Sequence, residues 1–255
     1  MRNQLRAAFY LLSRSSYLKG AVAVTVLIAA FRIWVGLTAP ADANVSFAQE
    51  NSVFGRGVIL GGFAPFVCCV VAAGMAGADR KTGAVRMACS TDQGRTQYAT
   101  SRFVLVLIQT ATICLLTMAT GLLVWAVTGI PIDTLDYGSP WIALRLPSSI
   151  LLVAVYAQVI QLFCWLARST ALSVLVAYVG VGFVWLFSLY LDQQAFFYPA
   201  LAPLFEFIKL GTLFPSLKAV GAAGASDVLL LLVVPCACLA LTYALGRLFW
   251  AKRAV

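Results

Sequence analysis

Much of what could make a specific contact in this chain is packed into one stretch, GADRKTGAVRMACSTDQGRTQYATSR, residues 77–102. Arg80, Lys81, Arg86, Arg95 and Arg102 are fixed cations there, and Asp79 and Asp92 are the accompanying carboxylates. Cations at this spacing can grip an acidic or polar surface, but they cannot by themselves run acid–base or nucleophilic chemistry. The sequence contains no histidine, which removes His-based triads, HExxH sites and every imidazole metal site. Neither GxxxxGK[ST] nor GxGxxG occurs, so the chain has no recognisable nucleotide cradle. Of the seven cysteines, Cys68, Cys69, Cys114, Cys164, Cys236 and Cys238 fall within apolar runs, where cysteine behaves as a small apolar residue. Only Cys89 lies in a loop, and no CxxC pair is present. The expectation is a protein that is not an enzyme, with no catalytic residue, cofactor or metal of its own.

The elements that must carry this polar stretch are hydrophobic. The 255 residues are 62% hydrophobic and 11% charged, with a mean hydropathy of +0.94, far from the composition of a water-soluble domain. Six runs, residues 20–37, 57–77, 103–129, 149–167, 171–191 and 228–246, approach or exceed the roughly 20 apolar residues that cross a bilayer as a helix. They are apolar on every face, and a barrel would instead show alternating segments of about ten residues. The fold class expected is therefore an all-α integral membrane protein, one domain over residues 1–255 with six transmembrane helices. Residues 1–19 mix Arg and Lys with Leu, Phe and Tyr, which suits an amphipathic helix lying in the membrane interface; a plain extension of the first span is the alternative. The start also imitates a secretory signal ending at Ala41-Asp42-Ala43, but the long basic lead and the length of the first apolar run favour its retention.

Charge sorts the connecting segments into two groups. Placing the N-terminal segment, residues 78–102, the turn at Arg168 and the C-terminal tail together collects thirteen basic and two acidic residues. The opposite group holds four basic and seven acidic residues, and Arg32 lies inside the first run, completing the net charge of +9. By the positive-inside rule both termini and residues 78–102 are expected in the cytoplasm. The positive charge thus reports topology and attraction to anionic membrane lipid, and no nucleic-acid partner is expected.

Within the apolar runs there is no convincing Asp or Glu to couple ion movement to transport. Arg32 can snorkel to the interface or face a pathway for an anionic substrate. Gln109 with Thr112, and Gln158 with Gln161, share helix faces and are candidates either for helix-to-helix hydrogen bonds or for a pathway lining. Residues 192–227 form a long aromatic outer segment interrupted by Pro199, Pro203 and Pro215. In residues 77–102, Arg80 to Cys89 can form a short helix that the turn formers Ser90, Thr91, Asp92 and Gly94 would end before Arg95. A short rigid element fused to two spans can pass motion from a soluble partner into the bundle.

The pattern Asp79, Gly83, Val85, Arg86, then Arg95, Tyr98 and Arg102 resembles the loop between the second and third spans of ABC-2 type transporter permease subunits. The leader MRNQLRAAFYLLSRSSYL likewise resembles that of the small permeases linked to lantibiotic and bacitracin immunity. Departures occur at Ala84, where the family usually has Thr, and at Arg102, where Lys is common. The resemblance implies a permease of the bacterial plasma membrane that exports a hydrophobic or amphipathic compound, such as an antimicrobial peptide. It implies two copies of a cytoplasmic ATPase subunit that binds the ATP, and a second permease copy or paralogue. Asp79, Arg80, Lys81, Gly83, Val85, Arg86, Arg95 and Arg168 would then couple to the ATPase, and residues 192–227 would form re-entrant helices at the outer exit. A non-transporting sensor or assembly scaffold, or a passive facilitator, are the alternative functions.

Overall fold

The computed structural model describes most of residues 6–38, 63–128, 142–204 and 225–252; within and beside the polar stretch, residues 82, 84, 86–89 and 91 lie outside the described set, as does Arg168. Among the described residues there is no strand, and the long elements are all helices. They are α1 (Ser16–Thr38), α2 (Phe63–Lys81), α3 (Asp92–Thr128), α4 (Ile142–Ala167), α5 (Thr170–Phe197) and α6 (Ala225–Lys252), with a 3-10 turn at Pro199–Leu201. Among the described residues, three stretches, Gly94–Thr120, Ile150–Ala167 and Leu232–Lys252, are long and apolar enough to cross a membrane.

Small residues decide which helix is central. On α2, Ala64, Cys68, Cys69, Ala72 and Ala73 are fully buried, as are Ala154 and Ala157 on α4. Short side chains let backbones approach closely, the usual packing device where lipid supplies no hydrophobic drive between helices. α2 accordingly packs on α4 and α5, while α6 lies against α4 and α3, and α1 against α3. Away from these contacts the helices present apolar groups outward: Leu27, Phe31, Trp34 and Leu37 on α1, and Leu175, Tyr178 and Phe183 on α5, are all more than half exposed. In water such a surface would drive association; in hydrocarbon it costs nothing.

Several boundaries differ from expectation. α2 continues through Arg80 and Lys81, so these two residues belong to its last turn and not to a separate short helix. The chain leaves α2 at Gly83, whose φ of 71° is the left-handed conformation that favours glycine, and whose N–H donates to the Arg80 carbonyl at 3.2 Å. Asp92 and Gly94, expected to break a helix, open α3, which runs 37 residues without interruption. At 1.5 Å per residue that is about 55 Å, well beyond the roughly 30 Å hydrocarbon layer, so one end of α3 must stand outside it. α4 begins at Ile142, earlier than residue 149, and α5 carries Asp192 and Gln193 inside the helix, where the outer segment was expected to have begun. Most of the remainder of residues 192–227, with its expected re-entrant helices, lies outside the described residues, as do residues 1–5 of the leader. In the described part of the leader, Leu12 is buried in the core while Arg6, Phe9, Tyr10 and Arg14 are exposed.

Candidate functional site at one end of the bundle

The residue types at one end of the bundle dictate an unusual local arrangement. Asp79, in the last turn of α2, is 4% exposed, and Arg102 on α3 is 5% exposed. A buried carboxylate needs a charge partner and hydrogen-bond donors to stay ionised. Arg102 Nη2 donates to Asp79 Oδ1, and the Tyr98 hydroxyl donates to Asp79 Oδ2 at 2.8 Å. Tyr98 and Arg102 are four apart on α3, so one helical turn supplies both, and the guanidinium also sits 5.5 Å from the Tyr98 ring centroid. Asp79 lies beyond the apolar run that ends at Gly77; burial pushes its carboxyl above the usual carboxylate range, and Arg102 and Tyr98 draw it back down.

The next residue, Arg80, turns the other way. Its Nη2 donates to the carbonyls of Cys164 and Trp165, the latter at 2.9 Å. These are among the last carbonyls of α4, which have no partner inside their own helix and carry partial negative charge. Arg80 therefore ties the end of α2 to the end of α4, three residues before the turn at Arg168. Past that turn Ser169 caps α5, its side chain accepting from the Leu172 N–H at 3.2 Å.

An aromatic cluster locks the same end from below. Tyr98, Trp165 and Trp250 are buried and mutually in ring contact, with Trp165 and Trp250 edge to face at 5.5 Å and Phe249 against Trp250 at 5.4 Å. Gly246 gives Trp165 its room, since a Cβ there would lie 3.2 Å from the ring. Val85 packs against this cluster. On the other flank Tyr17, at the start of α1, rests its ring on Gly74 of α2, where a Cβ would be 2.5 Å away. The starts of α1 and α3, the ends of α2, α4 and α6, and the turn into α5 thus meet at one end of the molecule. These are the segments that the charge distribution groups together.

Of the expected coupling residues, Asp79 and Arg80 are brought together with α3 and α4; Lys81 is exposed; Gly83 forms the turn; Val85 and Arg95 are half-buried. Arg86 and Arg168 lie outside the described residues, and the side chain of Arg32 does too. The pathway candidates Gln109, Gln158 and Gln161 are all buried within the bundle. Gln158 Nε2 donates to the Phe103 carbonyl at 2.9 Å and Gln109 Nε2 to that of Cys68 at 3.5 Å, so both join helices. The acceptor oxygens of Gln109 and Gln161 have no hydrogen-bond partner among the described residues. Sequence reasoning did not single out Trp165 and Trp250 as part of this end. Their one signal was position, each within a few residues of a basic group at a helix end, the placement of interfacial aromatics.

The chain matches no protein-family model and no curated protein sequence.

Proposed function

We propose that this chain is the membrane-embedded permease subunit of an ATP-driven ABC-2 type exporter, with six membrane-crossing helices and both termini in the cytoplasm of a bacterial cell. It works with two copies of a separate ATPase subunit and a second permease copy or paralogue, and it moves a hydrophobic or amphipathic compound, an antimicrobial peptide being the type that fits the leader's resemblance. The observation that carries this reading is the Arg80 tie. The loop after α2 and the turn between α4 and α5 are the two segments facing a cytoplasmic partner in this topology, and Arg80 joins their roots directly. A push on the loop is then delivered to α4 as well as to α2, and through the buried Asp79–Arg102 pair to α3. Three helices turning together is what closing a pathway on one side and opening it on the other requires. Asp79 serves in this scheme as an internal link, since it is not at the surface, and Lys81 offers the exposed cation. Motion enters because ATP binding and release change the partner's shape, and the chain's own residues only transmit it.

The test is efflux of a fluorescent cationic amphipathic peptide from cells carrying this chain and its co-purifying ATPase, with the ATPase's phosphate-binding Walker lysine replaced by alanine. Loss of efflux supports the exporter. Unchanged flux assigns a passive facilitator, and absence of flux with either ATPase assigns a scaffold or sensor.

A further inference from the structure

The leader and the first turn of α1 present cations and aromatic rings together. Residues 1–41 contain no Asp or Glu, so the basic residues there have no acidic neighbour along the chain. Arg6, Arg14 and Lys19 are exposed, and none of the three has a carboxylate partner among the described residues. Phe9, Tyr10 and Tyr17, interleaved with them, are exposed too. At the α6 corner of the same end Arg247 and Lys252 are also exposed, but the aromatics beside them turn inward: Trp250 is buried, and Tyr243 and Phe249 are half-buried. The leader surface is also held in shape. Leu12 is buried in the same cluster as Val71 and Met75 of α2, and the Tyr17 ring rests on Gly74. The Arg14 guanidinium sits 4.8 Å from the Tyr10 ring centroid. Side chains placed in this way lose less freedom when they bind.

Position along the chain sets the depth of this surface. After Lys19 no charged residue occurs until Arg32, and Val22, Val24, Val26 and Leu27 are exposed as lipid-facing residues are. Lys19 therefore marks the edge of the hydrocarbon, and the residues before it lie at the level of the lipid headgroups, where cations and aromatic rings both settle. We propose that this surface recognises anionic phospholipid, with Arg14 and Lys19 taking phosphate oxygens and the Phe9 and Tyr10 rings lying among the glycerol and uppermost acyl groups. Arg suits a phosphate because its forked donors match two oxygens at once. A zwitterionic headgroup brings its own cation to a surface already crowded with unmatched ones, and binds more weakly. An acidic protein would also answer the charge, but it leaves unexplained the exposed rings running on into the apolar face of α1; a bilayer accounts for both. Net charge alone would spread the attraction for anionic lipid over every basic segment of this end, whereas pairing of cations with exposed rings concentrates it in the leader. The surface stands independently of the exporter reading, needing only that the chain resides in a bilayer. Its consequence is that anionic lipid helps hold the leader in place against α2.

The full chain is purified in mild detergent and exposed to equal amounts of phosphatidylglycerol and phosphatidylcholine, and the retained lipid is counted by native mass spectrometry. Two variants, Arg14→Gln/Lys19→Gln in the leader surface and Arg247→Gln/Lys252→Gln on α6, remove the same charge at exposed positions and leave the core untouched. The expected result is preferential retention of phosphatidylglycerol, weakened about fivefold for each leader cation removed and so about twentyfold in the leader variant. The α6 variant stays within about twofold of the unaltered protein. Equal retention of the two lipids by the unaltered protein overturns the proposal, as does a loss on the α6 variant that matches or exceeds that on the leader variant. Undiminished phosphatidylglycerol on the leader variant overturns it as well, and assigns the leader cations to an acidic protein partner if binding of a co-purifying protein is lost instead.

Discussion

Removing one member of the Asp79–Arg102 pair is the sharpest perturbation the fold offers. Both side chains are only 6% exposed, so neither can turn to water when its partner is lost. Breaking a buried pair from one side costs about 3–5 kcal/mol, chiefly because an uncompensated charge stays behind. Against a total stability of about 5–15 kcal/mol, Arg102→Met alone therefore removes a large part of the fold's margin. Asp79→Leu strands the guanidinium in the same way and costs a similar amount. Replacing both together leaves no buried charge, and the remaining deficit is the Tyr98 hydroxyl, which loses its acceptor at 2.8 Å and costs about 1–3 kcal/mol. Adding Tyr98→Phe then recovers much of that remainder.

The ordering is thus unusual: each single variant is less stable than the double, and the double less stable than the triple. Reversible unfolding of the purified protein in mixed detergent micelles measures it as a double-mutant cycle. Acidity adds an independent check. The Asp79 carboxyl is raised by burial, so by linkage its favourable contribution is complete below its unfolded-state value and is lost as pH rises through the raised one. Arg102 is the largest influence opposing that rise, so in Arg102→Met the window of loss moves to higher pH and acidification restores part of the stability. Additive single-variant costs, or an Arg102→Met deficit that does not respond to pH, would refute the reasoning.

Three further outcomes follow from the same end of the molecule. Arg80→Gln leaves the α4 carbonyls without a charged donor and weakens folding by about 1–3 kcal/mol; under the exporter proposal, ATP hydrolysis by the proposed partner persists while efflux per ATP falls, measured in paired hydrolysis and efflux assays. Gly74→Ala puts a methyl 2.5 Å from the Tyr17 ring and expels it from α2, costing about 1–3 kcal/mol, and Tyr17→Ala in the same chain makes that substitution nearly silent in thermal unfolding. Lys81 is exposed, so Lys81→Cys in a cysteine-free background reacts with a membrane-impermeant maleimide in inverted vesicles and not in intact cells; the reverse pattern rejects the cytoplasmic placement of this end.

How much of this was legible in the sequence depends on whether the property was global or pairwise. The charge tally needed no contacts, and it grouped the N-terminal segment, residues 78–102, the turn at 168 and the tail; the described helix ends beside these segments meet at one end of the fold. Local turn chemistry was less reliable. Asp92 and Gly94 read as breakers, yet an acidic residue is also favourable at a helix start, and the cost of about 1 kcal/mol for one glycine is small against a 37-residue helix held by its neighbours. The true exit from α2 was signalled by a different rule, a basic pair in the last turn followed by glycine, the sequence mark of a helix end capped in the left-handed conformation. Arg80 shows where a one-dimensional reading stops. Near the end of an apolar run an arginine is sufficient as a topology anchor, and nothing in its flanks names Cys164 or Trp165, some 84 residues on, as partners. The tie exists because Cys69, Ala72, Ala73 and Ala76 have little side chain, so α4 comes close enough for its terminal carbonyls to fall within reach of a guanidinium. The small residues and the arginine thus form one device, and enlarging Ala73 or Ala76 should release the Arg80 tie as surely as replacing Arg80 itself.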